Sequence, residues 1–194
     1  YASLFKNKQF MCLWMAQVFS QFADRAVFVL FVAVLTAQQT AKQADPSHPA
    51  IGAAELTSWL YVAFTIPAVV LSPFAGVCVD RWSHRSVLIV SNLLRAFFVA
   101  LVALNWVKQY PKVAFTLAFL ISIGAQFFGP AETASIPRLV KKNDLYCANA
   151  LFFTTMMIAL GFGFAIGEPI IAHTGIGGAP YAVAALFLAA SLLL

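Results

Sequence analysis

The chain has 194 residues, 62% of them hydrophobic and only 10% charged, with a mean hydropathy of +0.86. A soluble domain needs roughly 25% charged residues for its polar shell, so a soluble globular protein is excluded and an integral membrane protein is predicted. The net charge of +5 is spread over short loops rather than gathered on one face or tail, which argues against a nucleic-acid partner.

A helical crossing needs about 20 mostly apolar residues. Six segments are predicted, over residues 10–37, 56–79, 86–107, 113–128, 145–172 and 179–194. Each should be helical, because unpaired backbone cannot cross hydrocarbon. The segments are too long, and alternate too little, for a β-barrel. The first carries Asp24 and Arg25 and is followed by the others, so it does not read as a signal peptide. Residues 38–54, with Asp45, Pro46, His48 and Pro49, read as an irregular external loop. Pro67 and Pro73 should bend the second span, with Ser72 or a neighbouring helix re-satisfying the freed carbonyls. The sixth segment is short and has no polar flank, and the chain starts at Tyr1 rather than Met. It is therefore expected to be a piece, cut at both ends, of a longer protein.

Lys6, Lys8, Arg81, Arg85, Arg138, Lys141 and Lys142 fall on one side of this topology, against Lys42, Lys108 and Lys112 on the other. The excess predicts a cytoplasmic N-terminus. Cys12, Cys78 and Cys147 then lie near the cytoplasmic side, where thiols stay reduced. They show no metal spacing, and neither a metal nor any other cofactor is expected.

Charges inside the spans mark candidate sites, because such residues are costly and face a cavity or a partner. Asp24 and Arg25 lie about halfway along the first span. Neighbours on a helix point about 100° apart, so they cannot easily pair with each other. Arg95 lies at a similar depth in the third span and needs an acid. Asp24 can be read as a substrate- or proton-coupling group, or as half of a structural ion pair with Arg95 or Arg25. Glu132, after Gly129 and Pro130, is expected at the cytoplasmic end of the fourth span as an ion-pair partner of Arg81 or Arg85. Glu168 reads as a solvated carboxylate at the outer rim. Gly161, Gly163, Gly167 and Pro169 in the fifth span read as close helix packing or as a hinge.

Between the second and third spans runs Gly76-Val-Cys-Val-Asp80-Arg81-Trp-Ser-His-Arg85. This charged hairpin resembles the loop between the second and third helices of major facilitator superfamily transporters. Gly76, Asp80, Arg81 and Arg85 match that pattern, while Cys78 stands for Leu, Ser83 for a second Gly and His84 for a basic residue. Ala16-Gln-Val-Phe-Ser-Gln-Phe-Ala-Asp24, Phe127-Phe-Gly-Pro-Ala131, Ile136-Pro-Arg-Leu-Val140 and Cys147-Ala-Asn-Ala-Leu151 are similar to bacterial efflux permeases and to the lysophospholipid transporter branch.

The resemblance implies an all-α membrane protein, residues 1–194 forming the N-terminal six-helix half of a twelve-helix transporter. It implies alternating access, two halves rocking about a central site. The hairpin would meet helix ends of the missing C-terminal half, and Asp80 would cap the third helix, where the dipole favours negative charge. The expected function is secondary active transport of a small molecule, as an efflux permease of the cell membrane. A lysophospholipid-translocating permease and a non-transporting membrane scaffold are the alternatives. The partners implied are the lipid bilayer and a small-molecule or lipid substrate. An enzyme is not expected: there is no His-Glu-x-x-His, no Gly-x-Ser-x-Gly and no facing carboxylate pair. A channel would need a polar ring or carbonyl filter, and neither is visible.

Overall fold

Apolar runs of 18 residues or more dictate the architecture seen in the computed structural model, which describes residues 2–43, 52–104, 107 and 109–194. A short helix α1 (Ala2–Lys6) leads into α2 (Lys8–Gln43). Asn7 joins them. Its Oδ1 accepts from the Phe10 N–H at 3.2 Å, and its Nδ2 donates to the Leu139 carbonyl at 2.6 Å. Helix α2 continues into the stretch expected to be loop. Residues 44–51 of that loop, with Asp45, Pro46, His48 and Pro49, lie outside the described residues, and its last two residues already belong to the next helix.

Helix α3 (Ala53–Arg81) keeps Pro67 and Pro73 inside it. Pro67 has no N–H to offer the Ala63 carbonyl one turn back. Next to that gap, the Ser122 hydroxyl of a neighbouring helix donates to the Phe64 carbonyl at 2.6 Å. Helix α4 (His84–Leu101) buries Val87, Leu88, Ser91, Asn92, Arg95, Ala96 and Val99, two neighbours on nearly every turn, which is one helix face. Its other face exposes Val90, Leu93, Leu94 and Phe97. Polar groups inside and apolar groups outside are the pattern of a helix solvated by lipid, not by water.

Helix α5 (Pro111–Leu139) begins with proline, tolerated there because its missing N–H has no helical partner anyway. It does not stop near Phe128, as the fall in hydropathy predicts, but runs on through Pro130 and Pro137. The added turns keep Ala131, Glu132, Ser135 and Ile136 buried, so packing overrides the local composition. A 3₁₀ turn (Lys142–Asp144) precedes α6 (Leu145–Leu193). Helix α6 is two spans in one. Gly175 breaks it with φ 68° and ψ 169°, a backbone that residues with a Cβ rarely adopt.

The packing proves the reversal. Ala148 and Phe152 share a buried cluster with Leu4, Phe10, Leu88 and Phe128. Ile170, Ile171, Ala179 and Val183 belong to the opposite cluster, with Phe31, Val34, Leu60, Val99 and Ala114. Leu194 is back against the first cluster. The described residues therefore make six crossings in alternating directions, the last helix supplying two of them. The α3–α4 hairpin and the start of α2 lie at one end, the hairpin end. Large side chains such as Val69, Phe74, Phe97 and Phe162 face outward. This is a multi-pass, all-helical membrane protein.

Candidate functional site

Two of the three mid-span charges, Asp24 and Arg95, meet in one polar layer between the two apolar clusters. Asp24 on α2 meets Arg95 on α4. Nη1 of Arg95 donates to both carboxylate oxygens, at 2.8 and 2.9 Å. Nη2 donates to Ser20 Oγ at 2.9 Å and to Asn92 Oδ1 at 2.6 Å. Nε donates to the Ser91 carbonyl at 3.3 Å, so every guanidinium nitrogen has a partner. The rings of Phe128 and Phe187 each lie 4.7 Å from the guanidinium carbon, in cation–π range. Arg95 is 0% exposed, whereas the Asp24 side chain is 27% exposed. Gly124 makes room: a Cβ there would come within 3.1 Å of the Arg95 side chain.

Sequence reasoning named Asp24 and Arg95 but missed Ser20, Asn92, Phe128 and Phe187. Two of these carry a readable signal. Ser20 is one turn before Asp24, and Asn92 is one turn before Arg95, so each shares a face with its charge. Phe128 and Phe187 come from remote segments and give no local signal.

Arg25 points elsewhere, as its 100° offset requires. Its stem lies over Gly163 of α6, where a Cβ would come within 2.5 Å of Arg25 Cγ. Its guanidinium carbon is 5.7 Å from the Phe164 ring, and its Nε is buried without a hydrogen-bond partner. One turn on, Gly167 faces Val29, where a Cβ would come within 2.7 Å. These two glycines let α2 and α6 approach closely. Gly161 faces open space, and Pro169 lies within the helix.

Glu132 forms no ion pair with Arg81 or Arg85. It is 7% exposed, packed inside the bundle, and its Oε1 has no hydrogen-bond partner. The continuation of α5 past Pro130 carries it inward from the rim where it was expected. Glu168 is exposed.

At the hairpin, Gly76, Asp80 and Arg81 occupy the end of α3, and Arg85 the first turn of α4. Ser83, not Asp80, caps α4. Its Oγ accepts from the Ser86 N–H at 3.3 Å and lies 2.6 Å from Ser86 Oγ. Asp80 falls within α3 and is exposed, so its carboxylate is not where the cap must be. Serine at the place where the superfamily pattern has glycine thus supplies the helix start directly. Trp82 stacks on Phe127, ring centroids 6.5 Å apart. The three cysteines are free thiols.

The sequence model of the Major Facilitator Superfamily matches residues 13–194. Among curated relatives, "Putative bacilysin exporter BacE" of Bacillus subtilis is 28% identical over 69% of this chain and 34% of its own length. Lysophospholipid transporter LplT of Photorhabdus laumondii is 28% identical over 78% of this chain and 34% of its own. The uncharacterized MFS-type transporter YfiS of Bacillus subtilis is 26% identical over 98% of this chain and 43% of its own. The chain thus spans well under half the length of these relatives. All three are named as transporters or exporters. With six crossings, a charged hairpin after the second and a family match over nearly the whole sequence, this chain belongs to the major facilitator superfamily.

Proposed function

We propose that the chain is the N-terminal half of a secondary active transporter of the plasma membrane, exporting a small molecule by alternating access. Its N-terminus lies in the cytoplasm. The second six-helix half completes the substrate site, in keeping with the share of the relatives' length that this chain covers. The observation that carries the reading is the Asp24–Arg95 pair in mid-span, with a fully buried arginine and a carboxylate left about a quarter exposed. The arginine locks α2, α4, α5 and the last span into one body that can rock as a unit. The exposed side of Asp24 offers a cationic substrate or a proton a place to compete with Arg95, loosening that lock. Export is favoured by the likeness to a relative named as an exporter.

The test is the full-length protein in proteoliposomes. Asp24→Asn should abolish pH-driven transport while leaving substrate binding measurable. Undiminished pH-driven transport by a well-folded Asp24→Asn protein would sink the coupling role.

A second cargo class has its own support. Relatives named as lysophospholipid transporters recur. A groove of about 450 Å³ between α3 and α5, lined by Trp59, Val62, Ile66, Phe115 and Phe119, is apolar enough to hold an acyl chain. Uptake of lysophospholipid, with no transport of organic cations, would select this reading.

A further inference from the structure

Among the described acids only Glu132 is buried: it is 7% exposed, and its Oε1 has no hydrogen-bond partner. It lies on a strip of α5 that runs beside Arg95. Gly124 leaves room for the Arg95 stem, and the Phe128 ring lies over its guanidinium. Glu132 follows at the same four-residue spacing and so shares that face, one turn or about 5.4 Å nearer the hairpin end. The charges whose fields reach it are Arg95 on α4 and Asp24 on α2. On the other helices packed against α5, Glu55, Asp80 and Arg81 of α3 and Glu168 and His173 of α6 are exposed. Residues 179–194 carry no charged side chain. His84, at the start of α4, is buried as well.

An ionised carboxylate buried without a partner is so costly that the group is held neutral instead. The donors of Arg95 are already engaged by Asp24, Ser20, Asn92 and the Ser91 carbonyl, so no ion pair holds Glu132. The interior thus sets two acids against a single buried cation. With both acids ionised it would carry a net negative charge, which one proton cancels. Asp24, partly exposed, is open to protons from outside the bundle, whereas Glu132 is closed off.

We propose that Glu132 is a second proton-carrying acid of this transporter, sharing one proton and one arginine with Asp24. The proposal rests on the reading of Asp24 as the coupling group. A proton arriving on Asp24 forms an O–H bond there and releases Arg95. Arg95 then turns to Glu132, whose O–H bond breaks, its proton leaving to water at the hairpin end. One proton has entered and one has left, and the layer is neutral before and after. Two acids tied to one arginine in this way titrate as a unit.

The test is infrared spectroscopy and transport on the full-length protein in proteoliposomes. A protonated carboxyl gives a C=O band, shifted by deuterium oxide, that a carboxylate lacks. The wild type at neutral pH should show such a band, and Glu132→Gln should remove it. As pH is raised, the band should disappear earlier in Asp24→Asn, where Arg95 is free to turn, and later in Arg95→Gln, where no cation remains. The absence of a Glu132-dependent band, or its loss at one pH in all three proteins, overturns the shared proton. In transport, Glu132→Gln should lose pH-driven movement of cargo but keep cargo exchange, and Glu132→Asp should restore the pH-driven component. Loss of exchange as well would overturn the role by showing a purely structural residue. Full pH-driven transport by Glu132→Gln, with Asp24→Asn inactive, overturns the role of Glu132 alone; full transport by Asp24→Asn overturns the reading beneath it.

Discussion

Removing Asp24 isolates a buried cation, and the geometry sets the size of the effect. Arg95 is 0% exposed and loses two contacts, at 2.8 and 2.9 Å, while keeping Ser20, Asn92 and the Ser91 carbonyl. At an effective dielectric near 20, unit charges about 4 Å apart attract by about 4 kcal/mol. Breaking a buried pair from one side typically costs about 3–5 kcal/mol. Asparagine returns one oxygen acceptor, so Asp24→Asn should fall near the lower bound, about 3 kcal/mol. At roughly 2–4 °C per kcal/mol for a unit of 150–250 residues, the midpoint should drop by roughly 6–12 °C where this six-helix unit unfolds by itself, and by about half that where the whole protein unfolds as one. Arg95→Gln leaves a carboxylate that is partly open and so costs less. In the double variant no charge is stranded, and part of the loss should return. The assay is a double-mutant cycle on the full-length protein in detergent, read by thermal unfolding. A coupling energy above about 1 kcal/mol is expected. Additivity within about 0.5 kcal/mol, the behaviour of independent sites, would refute the idea that this pair holds the layer together.

Gly163→Ala should destabilise by about 1–3 kcal/mol, the usual cost of overpacking, because its Cβ meets both Cβ and Cγ of Arg25. Gly161→Ala, facing open space, should instead be neutral or stabilise by up to about 1 kcal/mol through helix propensity; equal effects in thermal unfolding would contradict the packing role. Ser83→Ala should cost about 1 kcal/mol through loss of the α4 cap. Asp80→Asn should leave the unfolding midpoint unchanged yet slow transport, if its exposed carboxylate acts on the other half; wild-type transport rates would show that it has no such role. Single cysteines at Ser83 and Thr174, in a background without native cysteines, should label oppositely with an impermeant thiol reagent; labelling of Ser83 from outside intact cells would reverse the proposed orientation.

Hydropathy was a sufficient guide to the crossings, because lipid demands long apolar runs whatever their partners. Equal depth in two spans likewise pointed to Asp24 and Arg95, since a buried cation must find an acid. What stayed hidden depends on how far a helix persists and on what it meets. Composition falls at Gly129 and Pro130, yet α5 continues and carries Glu132 inside the bundle. The stretch around Gly175 reads as a loop, yet one left-handed glycine is enough to turn the chain. Charge favours Asp80 as the cap of α4, whereas position decides capping, and Ser83 holds the position. His84 reads as a loop residue at the surface, but as the first residue of α4 it lies on the buried face three residues before Val87.

The turn at Gly175 also imposes an order on biogenesis. Asp24 and Arg95 have both been synthesised once the fourth helix has emerged, and Phe128 follows soon after. Phe187, the second ring over the guanidinium, arrives only when the chain has crossed again and doubled back. Until then one flank of a membrane-buried arginine lies bare. The returning span is thus the piece that seals the charged layer, and a nascent chain stalled before the turn displays an open cationic face to whatever machinery inspects helices in the bilayer.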